Sequence, residues 1–263
     1  MHTGRDGIGL RWERGAGYIG AMRALGILHY LVGVVATLLF APPAFVFGML
    51  GWRRAAYVPV RCWAWVAVTV TGVRCRGHGL DLLPTEGPYV VVANHCSHLD
   101  SPCLVRALPH ALYFVVKREL TRIPLFGPTL VKLGFVIVDR SNSEEAHRRM
   151  AEAVQLIREG HRVLVFAEGT RSRDGHLQPF KKGGFHLAID AQVPVVPVAI
   201  NGSHRLLPKG ELTTRPGTVD IGVCEPIPTT GMDGGQVDAL VEKARKTIFE
   251  ARRLDPDFPA ISS

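Results

Sequence analysis

The chain has 263 residues, of which 47% are hydrophobic and 21% charged, and a formal net charge of +8. This composition supplies a packed core and excludes a wholly disordered chain, and the length suits one catalytic unit with an added segment, or two small domains. The positive balance fits an anionic partner (nucleic acid, an anionic membrane surface or a phosphorylated substrate) without choosing among them.

Residues 24–52 contain no Asp, Glu, Lys or Arg. A helix over 24–41 would be about 27 Å long, close to the ~30 Å hydrocarbon thickness of a bilayer. Pro42 and Pro43 then remove two backbone donors and are expected to break it. A second apolar stretch, 55–73, is interrupted only by Arg61 and carries Trp63 and Trp65, residues that favour a membrane interface. Arg11, Arg14 and Arg23 precede the first run, and Arg53 and Arg54 follow it. The positive-inside tendency puts both flanks on the cytoplasmic side. Residues 1–73 are therefore expected to form a membrane-associating helical hairpin dipping into one leaflet at the cytoplasmic face, rather than a single spanning anchor or a buried core helix. The small residues Gly20 and Ala21 precede the apolar run instead of following it, so no cleaved signal peptide is predicted. Cys62, Cys75, Cys96, Cys103 and Cys224 are odd in number and lack C-x-x-C spacing, which argues against a disulfide framework and for a reducing compartment.

The pattern changes over 74–263. Short β-branched runs at 89–93, 112–116, 135–138, 163–167, 193–200 and 218–223 alternate with amphipathic stretches. In one of these, Ser141 and Glu144 fit a capping box and Gly160 a helix end. A last helix is expected over 237–254. Strands alternating with helices predict an α/β domain with a largely parallel central sheet flanked by helices.

Asn94-His95-Cys96-Ser97-His98-Leu99-Asp100 follows the first of these strands, where an α/β sheet usually presents its site. On one continuous helix, His95 and Asp100 would diverge by about 140°. They meet if His95 lies in the turn and Asp100 starts the next helix, as Asp100-Ser101-Pro102 suggests. Asp100 can then serve as an N-cap and also brace the imidazole, because a carboxylate accepts several hydrogen bonds. A braced histidine can take a proton from an alcohol attacking an acyl carbonyl. Backbone amides near the start of that helix are the candidate oxyanion donors.

Two further strands end in charge: one in Asp139-Arg140, the other in Glu168-Gly169-Thr170-Arg171-Ser172. Both place an arginine on the edge expected for His95, and guanidinium groups bind phosphate through paired, charge-assisted hydrogen bonds. Lys117, ending the 112–116 strand, adds a third positive charge. Competing readings are weaker. His95, Cys96, His98 and Asp100 do not form a recognisable zinc set. Ser97 lacks the Gly-x-Ser-x-Gly elbow of a nucleophile. A nucleic-acid partner would leave the apolar N-terminus unexplained. Arg148, Arg149 and Arg158 read as a solvated helix face paired with Glu144, Glu145 and Glu152, and Lys181-Lys182 as either an anion contact or exposed surface.

Four blocks in order, Asn94-His95-x-Ser97-x-x-Asp100, Gly134-Phe135-x-x-x-Asp139-Arg140, Phe166-x-Glu168-Gly169-Thr170-Arg171-Ser172 and the Val-Pro-Val-Val-Pro-Val-Ala-Ile of 193–200, resemble the glycerolipid acyltransferases, and among them the bacterial 1-acyl-sn-glycerol-3-phosphate acyltransferases. The resemblance covers roughly 75–225. It implies that 74–263 is the catalytic domain, with His95 as general base and Asp100 as its orienting partner. Arg140, Glu168, Gly169 and Arg171, with Lys117 and Thr170 nearby, would shape the acceptor site. The 193–200 strand would line a substrate channel. It further implies acyl transfer from acyl-CoA or acyl-carrier protein to the sn-2 hydroxyl of the lysophospholipid acceptor 1-acyl-glycerol-3-phosphate, with no metal and no cofactor beyond that co-substrate. The alternatives are another acceptor (lyso-ornithine lipid, another lysophospholipid or glycerol-3-phosphate) or a non-catalytic membrane lipid-binding protein. The family's third block commonly reads Phe-Pro-Glu-Gly; here Ala167 replaces the proline, which puts acceptor preference in doubt more than activity.

Overall fold

The charge-free N-terminal run forms one long helix, α1 (Ala16–Met49), which turns back into α2 (Arg53–Val70). The computed structural model describes residues 16–139 and 143–253. Arg11, Arg14, Arg140, Ser141 and Leu254 therefore lie outside the described residues. The expected break at Pro42-Pro43 does not occur: both prolines sit inside α1. Proline's fixed φ suits a helix even though its missing N–H does not. Packing carries the helix through. Thr129 Oγ1 donates to Ala41 O at 3.3 Å, and a Cβ added at Gly48 would lie 3.0 Å from Lys132 O.

After the hairpin the elements run β1 (Val73–His78), β2 (Val90–Ala93), α3 (Asp100–Ala107), β3 (Leu112–Lys117), α4 (Phe126–Lys132), β4 (Val136–Val138), α5 (Ser143–Arg158), β5 (Arg162–Phe166), α6 (Gly183–Ala191), β6 (Val195–Asn201), the short α7 (Ser203–Leu206), β7 (Gly217–Val223) and α8 (Val237–Arg253). The six expected strands are present. β1 is an addition: Val-Arg-Cys-Arg-Gly-His has neither an apolar run nor a clean alternation to announce it. Among the described residues the strands form one sheet in the order β1-β7-β6-β2-β5-β3-β4. β6, β2, β5, β3 and β4 are parallel neighbours, whereas β7 is antiparallel to β6 and β1 parallel to β7.

All four residues of β2 are buried, as both faces of a parallel sheet require. Val91 and Ala93 face a core shared with α2 and α3, through Tyr57, Ala64, Val68, Cys103 and Leu104. Val90 and Val92 face the other core, built with α5, α6 and α8 through Ile157, Phe185 and Leu240. The α5 charge pattern forms in part: Arg148 pairs with Glu145, and Arg149 with Glu145 and Glu152, whereas Arg158 donates to Asp190 O at 2.7 Å.

Candidate active site

The loop after β2 is fixed before it does any chemistry. Asn94 is fully buried, and its side-chain amide donates to Ile200 O at 3.0 Å and accepts from Ile200 N at 2.7 Å. It thus prolongs the β2–β6 ladder with a side chain and leaves the next residue to turn out of the sheet. Ser97 Oγ donates to Leu207 O at 2.8 Å and accepts from Leu99 N at 3.2 Å. That hydroxyl is committed to the loop and is not poised as a nucleophile.

His95 and Asp100 meet. Nδ1 lies 2.7 Å from Asp100 Oδ2, and the same oxygen accepts from Cys96 N at 2.7 Å and Ser97 N at 2.9 Å. Asp100 is not the N-cap expected of it: Leu99 holds that position, and Asp100 is the first residue of α3. Its carboxylate turns back to gather the loop's amides. Those amides are therefore already engaged, which removes Cys96 and Ser97 from the candidate oxyanion donors. An ionised carboxylate only accepts hydrogen bonds, so Nδ1 carries the proton and Nε2 is the basic nitrogen. The Asp100 side chain is wholly buried, while His95 keeps 18% exposure. The imidazole also stacks on Phe166 at 3.9 Å between ring centroids and 12° between planes. Burial pushes the neighbouring Cys96 thiol up to about 12, so it is no thiolate. Among the described residues no group of three or more His, Cys, Asp or Glu side chains could hold a metal ion.

Glu168 is turned inward rather than toward an acceptor. It is 3% exposed. Oε1 accepts from His95 N at 2.7 Å and Oε2 from Gln178 N at 2.9 Å. Burial pushes its carboxyl up to about 7, against the pull of those two amides and of Arg252. Gly169 closes the turn after β5, donating to Phe166 O at 3.0 Å with φ at +70°, a conformation that favours glycine. Where the family pattern carries proline, Ala167 N donates to Ala93 O at 2.9 Å. A hydrogen bond here does the work of a ring constraint. Arg171 is half-buried and within electrostatic reach of Asp100 and His98, on the His95 edge as expected; burial depresses its pKa. Lys209 holds that loop, donating to Arg171 O at 2.8 Å and reaching Thr170 Oγ1 at 3.5 Å. Lys117 sits at the same sheet edge but pairs with Glu119 at 3.5 Å, which offsets its charge. Lys182 pairs with Asp238 of α8.

Beside the dyad lies a cavity of about 150 Å³ lined almost wholly by apolar side chains of α1, α2, α3, β3 and α4, including Ala44, Trp63, Val105, Phe114 and Phe126. It adjoins the site through Ser101, next to Asp100, and through Phe114, whose ring lies 6.3 Å from that of Phe166.

A family model described as Acyltransferase matches residues 74–201. These residues are a domain of the acyltransferase family. The human 1-acyl-sn-glycerol-3-phosphate acyltransferase alpha is 36% identical over 183 residues, 69% of this chain and 65% of the human one. The chain thus matches less than two thirds of that relative's length. A Saccharomyces cerevisiae 1-acyl-sn-glycerol-3-phosphate acyltransferase is 29% identical over 89% of this chain and 81% of its own. The crystal structure of PlsC, the 1-acyl-sn-glycerophosphate (LPA) acyltransferase of Thermotoga maritima, superposes with a TM-score of 0.78 at 26% identity, covering 92% of this chain and 99% of that one.

The sequence did not announce several supports of this site. Asn94 and Phe166 each stood in a recognised block without a stated role. Lys209 and Arg252 lie 114 and 157 positions after His95 with no local motif to announce them. Arg252, in the last turn of α8, donates to Gly175 O at 2.6 Å and is 3% exposed.

Proposed function

We propose that the protein transfers a fatty acyl group from an acyl thioester, of coenzyme A or acyl-carrier protein, to the sn-2 hydroxyl of 1-acyl-glycerol-3-phosphate, yielding phosphatidic acid. The observation that carries this reading is the 2.7 Å His95–Asp100 contact at the C-terminal sheet edge, with Nε2 left as a base. An imidazole is too weak to strip an alcohol in the ground state. It removes the proton as the carbon–oxygen bond forms, an effect typically worth ~10²–10⁴-fold. Asp100 keeps the ring in the reactive tautomer and stabilises the imidazolium formed. The thiolate of the donor then leaves and takes up that proton.

Arg171, with Arg140, would grip the acceptor phosphate. Holding it places the hydroxyl against the thioester, and positioning of this kind contributes ~7–11 kcal/mol. The apolar cavity suits an acyl chain and admits no charged group without large desolvation. The relatives named for acylating 1-acyl-glycerol-3-phosphate support the choice of acceptor.

We place the protein at a membrane, held by the hairpin in one leaflet. In α1 the stretch Ala24–Met49 is long and apolar enough to cross a bilayer, with a mean hydropathy of 2.1, yet α2 favours a one-sided seat. α2 contributes Tyr57, Ala64 and Val68 to the catalytic core, and Arg61 donates to Leu108 O at 3.3 Å. A helix bound to the domain along its length cannot also stand free in lipid. The test is purified protein with labelled acyl-CoA or acyl-carrier protein against acceptors with and without the phosphate. Transfer to 1-acyl-glycerol-3-phosphate well above transfer to monoacylglycerol is expected, with Arg140→Ala raising KM for the former alone. Equal use of both acceptors would contradict the phosphate assignment.

A further inference from the structure

Outside the hairpin, the exposed large apolar side chains among the described residues are Leu80, Ile123, Leu125, Val131 and Leu212. All but Leu80 lie on two segments that pack against α1. One is the loop and helix 123–132, fastened to α1 by the contacts of Thr129 with Ala41 and of Lys132 with Gly48. The other is the loop before β7, whose backbone abuts α1 at Gly26: a Cβ there would lie 2.5 Å from Thr213 Oγ1 and 3.4 Å from Leu212 C. Gly26 and Gly48 are separated by roughly 33 Å of helix. The two segments therefore rise at opposite ends of the same apolar face. β3 ends at the edge that carries His95, and antiparallel β7 begins there, so they straddle the site.

Their chemistry is that of an interfacial contact. Leu212 is 71% exposed and Leu125 45%, the latter at φ +62°, where folding alone would favour glycine. Exposed cations lie near three of these tips, Arg122 before Ile123, Lys132 after Val131 and Arg215 three residues after Leu212, while the exposed Glu211 directly precedes Leu212. Apolar side chains that enter the acyl boundary beside cations at headgroup level are what binds a protein to an anionic leaflet.

We propose that these two segments form a second bilayer contact, seating the catalytic edge on an anionic leaflet from both sides so that a lyso-lipid acceptor enters laterally. This rests on the hairpin being leaflet-embedded. Across the two segments the exposed cations Arg122, Lys132 and Arg215 outnumber the exposed Glu211 and complement anionic headgroups.

The experiment uses the full chain with phosphatidylcholine vesicles, with or without phosphatidylglycerol, and two acceptors: a long-chain lyso-lipid in the vesicles and a hexanoyl analogue free in solution. The variant Ile123→Ser/Leu125→Asn/Leu212→Ser should lose on the order of 10-fold in kcat/KM on the vesicle acceptor and keep that on the soluble one. Arg122→Glu/Arg215→Glu, which leaves the apolar tips intact, should lose activity on phosphatidylglycerol vesicles and not on neutral ones. Wild-type vesicle turnover in both variants would overturn the inference. So would a loss confined to acyl-carrier protein as donor, which would assign the surface to that protein. If the wild-type chain fails to float with vesicles, the hairpin reading falls and this inference with it. If the wild type floats and the variants match it, this inference falls alone.

Discussion

Replacing Glu168 with glutamine should move activity and stability in opposite directions. The buried carboxylate holds two backbone amides, those of His95 and Gln178. Glutamine offers one acceptor oxygen, so one amide must face an NH2 group. An unsatisfied buried donor costs about 1–3 kcal/mol, and released loop geometry of that size lowers kcat by roughly 5- to 150-fold. The electrostatic effect has the other sign. Burial raises the Glu168 carboxyl from 4.5 to about 7, so its contribution to stability is complete below the ordinary value and is lost as pH rises through about 7. At pH 8 the ionised group then carries a penalty of roughly 3 kcal/mol, which glutamine removes. Glu168→Gln should therefore be at least as stable as wild type at pH 8, to within ~1–2 kcal/mol. It should also lose the part of the stability decline that falls between pH 4.5 and about 7. Urea unfolding across that range, with transfer assays at pH 8, measures both. A variant several kcal/mol weaker at pH 8 with an unchanged pH slope, or one with full activity, would refute the reasoning.

Asp100→Asn keeps the shape but removes the charge that stabilises an imidazolium; kcat should fall ~10²–10⁴-fold with near-native circular dichroism. Arg171→Ala should raise KM for the phosphorylated acceptor about 10-fold or more, since a charge-assisted bond is worth roughly 1.5–3 kcal/mol, and leave KM for a phosphate-free acceptor unchanged. Ala44→Leu narrows the apolar cavity and should shift donor use toward shorter acyl chains in a competition assay, at a stability loss of about 1–3 kcal/mol from overpacking.

The sheet was legible where strands were β-branched and ended in chemistry: 89–93, 135–138 and 163–167 each lead into a recognised block. β1 was not, because Val-Arg-Cys-Arg-Gly-His is mostly polar and exposed, on an edge that needs little apolar surface. The His95–Asp100 meeting could be argued from spacing, since a turn followed by a helix start is the local geometry that closes it. The use of Asp100 to gather the Cys96 and Ser97 amides could not, because it depends on the loop's path. Glu168 was expected at the acceptor site because the family resemblance implies it there; only coordinates place it inside the loop, on the amides of His95 and Gln178. The continuous α1 shows packing overriding a local rule: two prolines disfavour a helix, yet α4 secures the stretch that contains them.

The claim on which the rest depends is that His95 removes the acceptor proton directly. It is tested by incubating purified wild-type protein and His95→Ala with labelled acyl-CoA and 1-acyl-glycerol-3-phosphate. Label should pass to phosphatidic acid with wild type alone, with none retained on protein, while His95→Ala still folds and binds vesicles. Comparable turnover by His95→Ala, or label trapped on the wild-type chain before acceptor is added, would contradict the account.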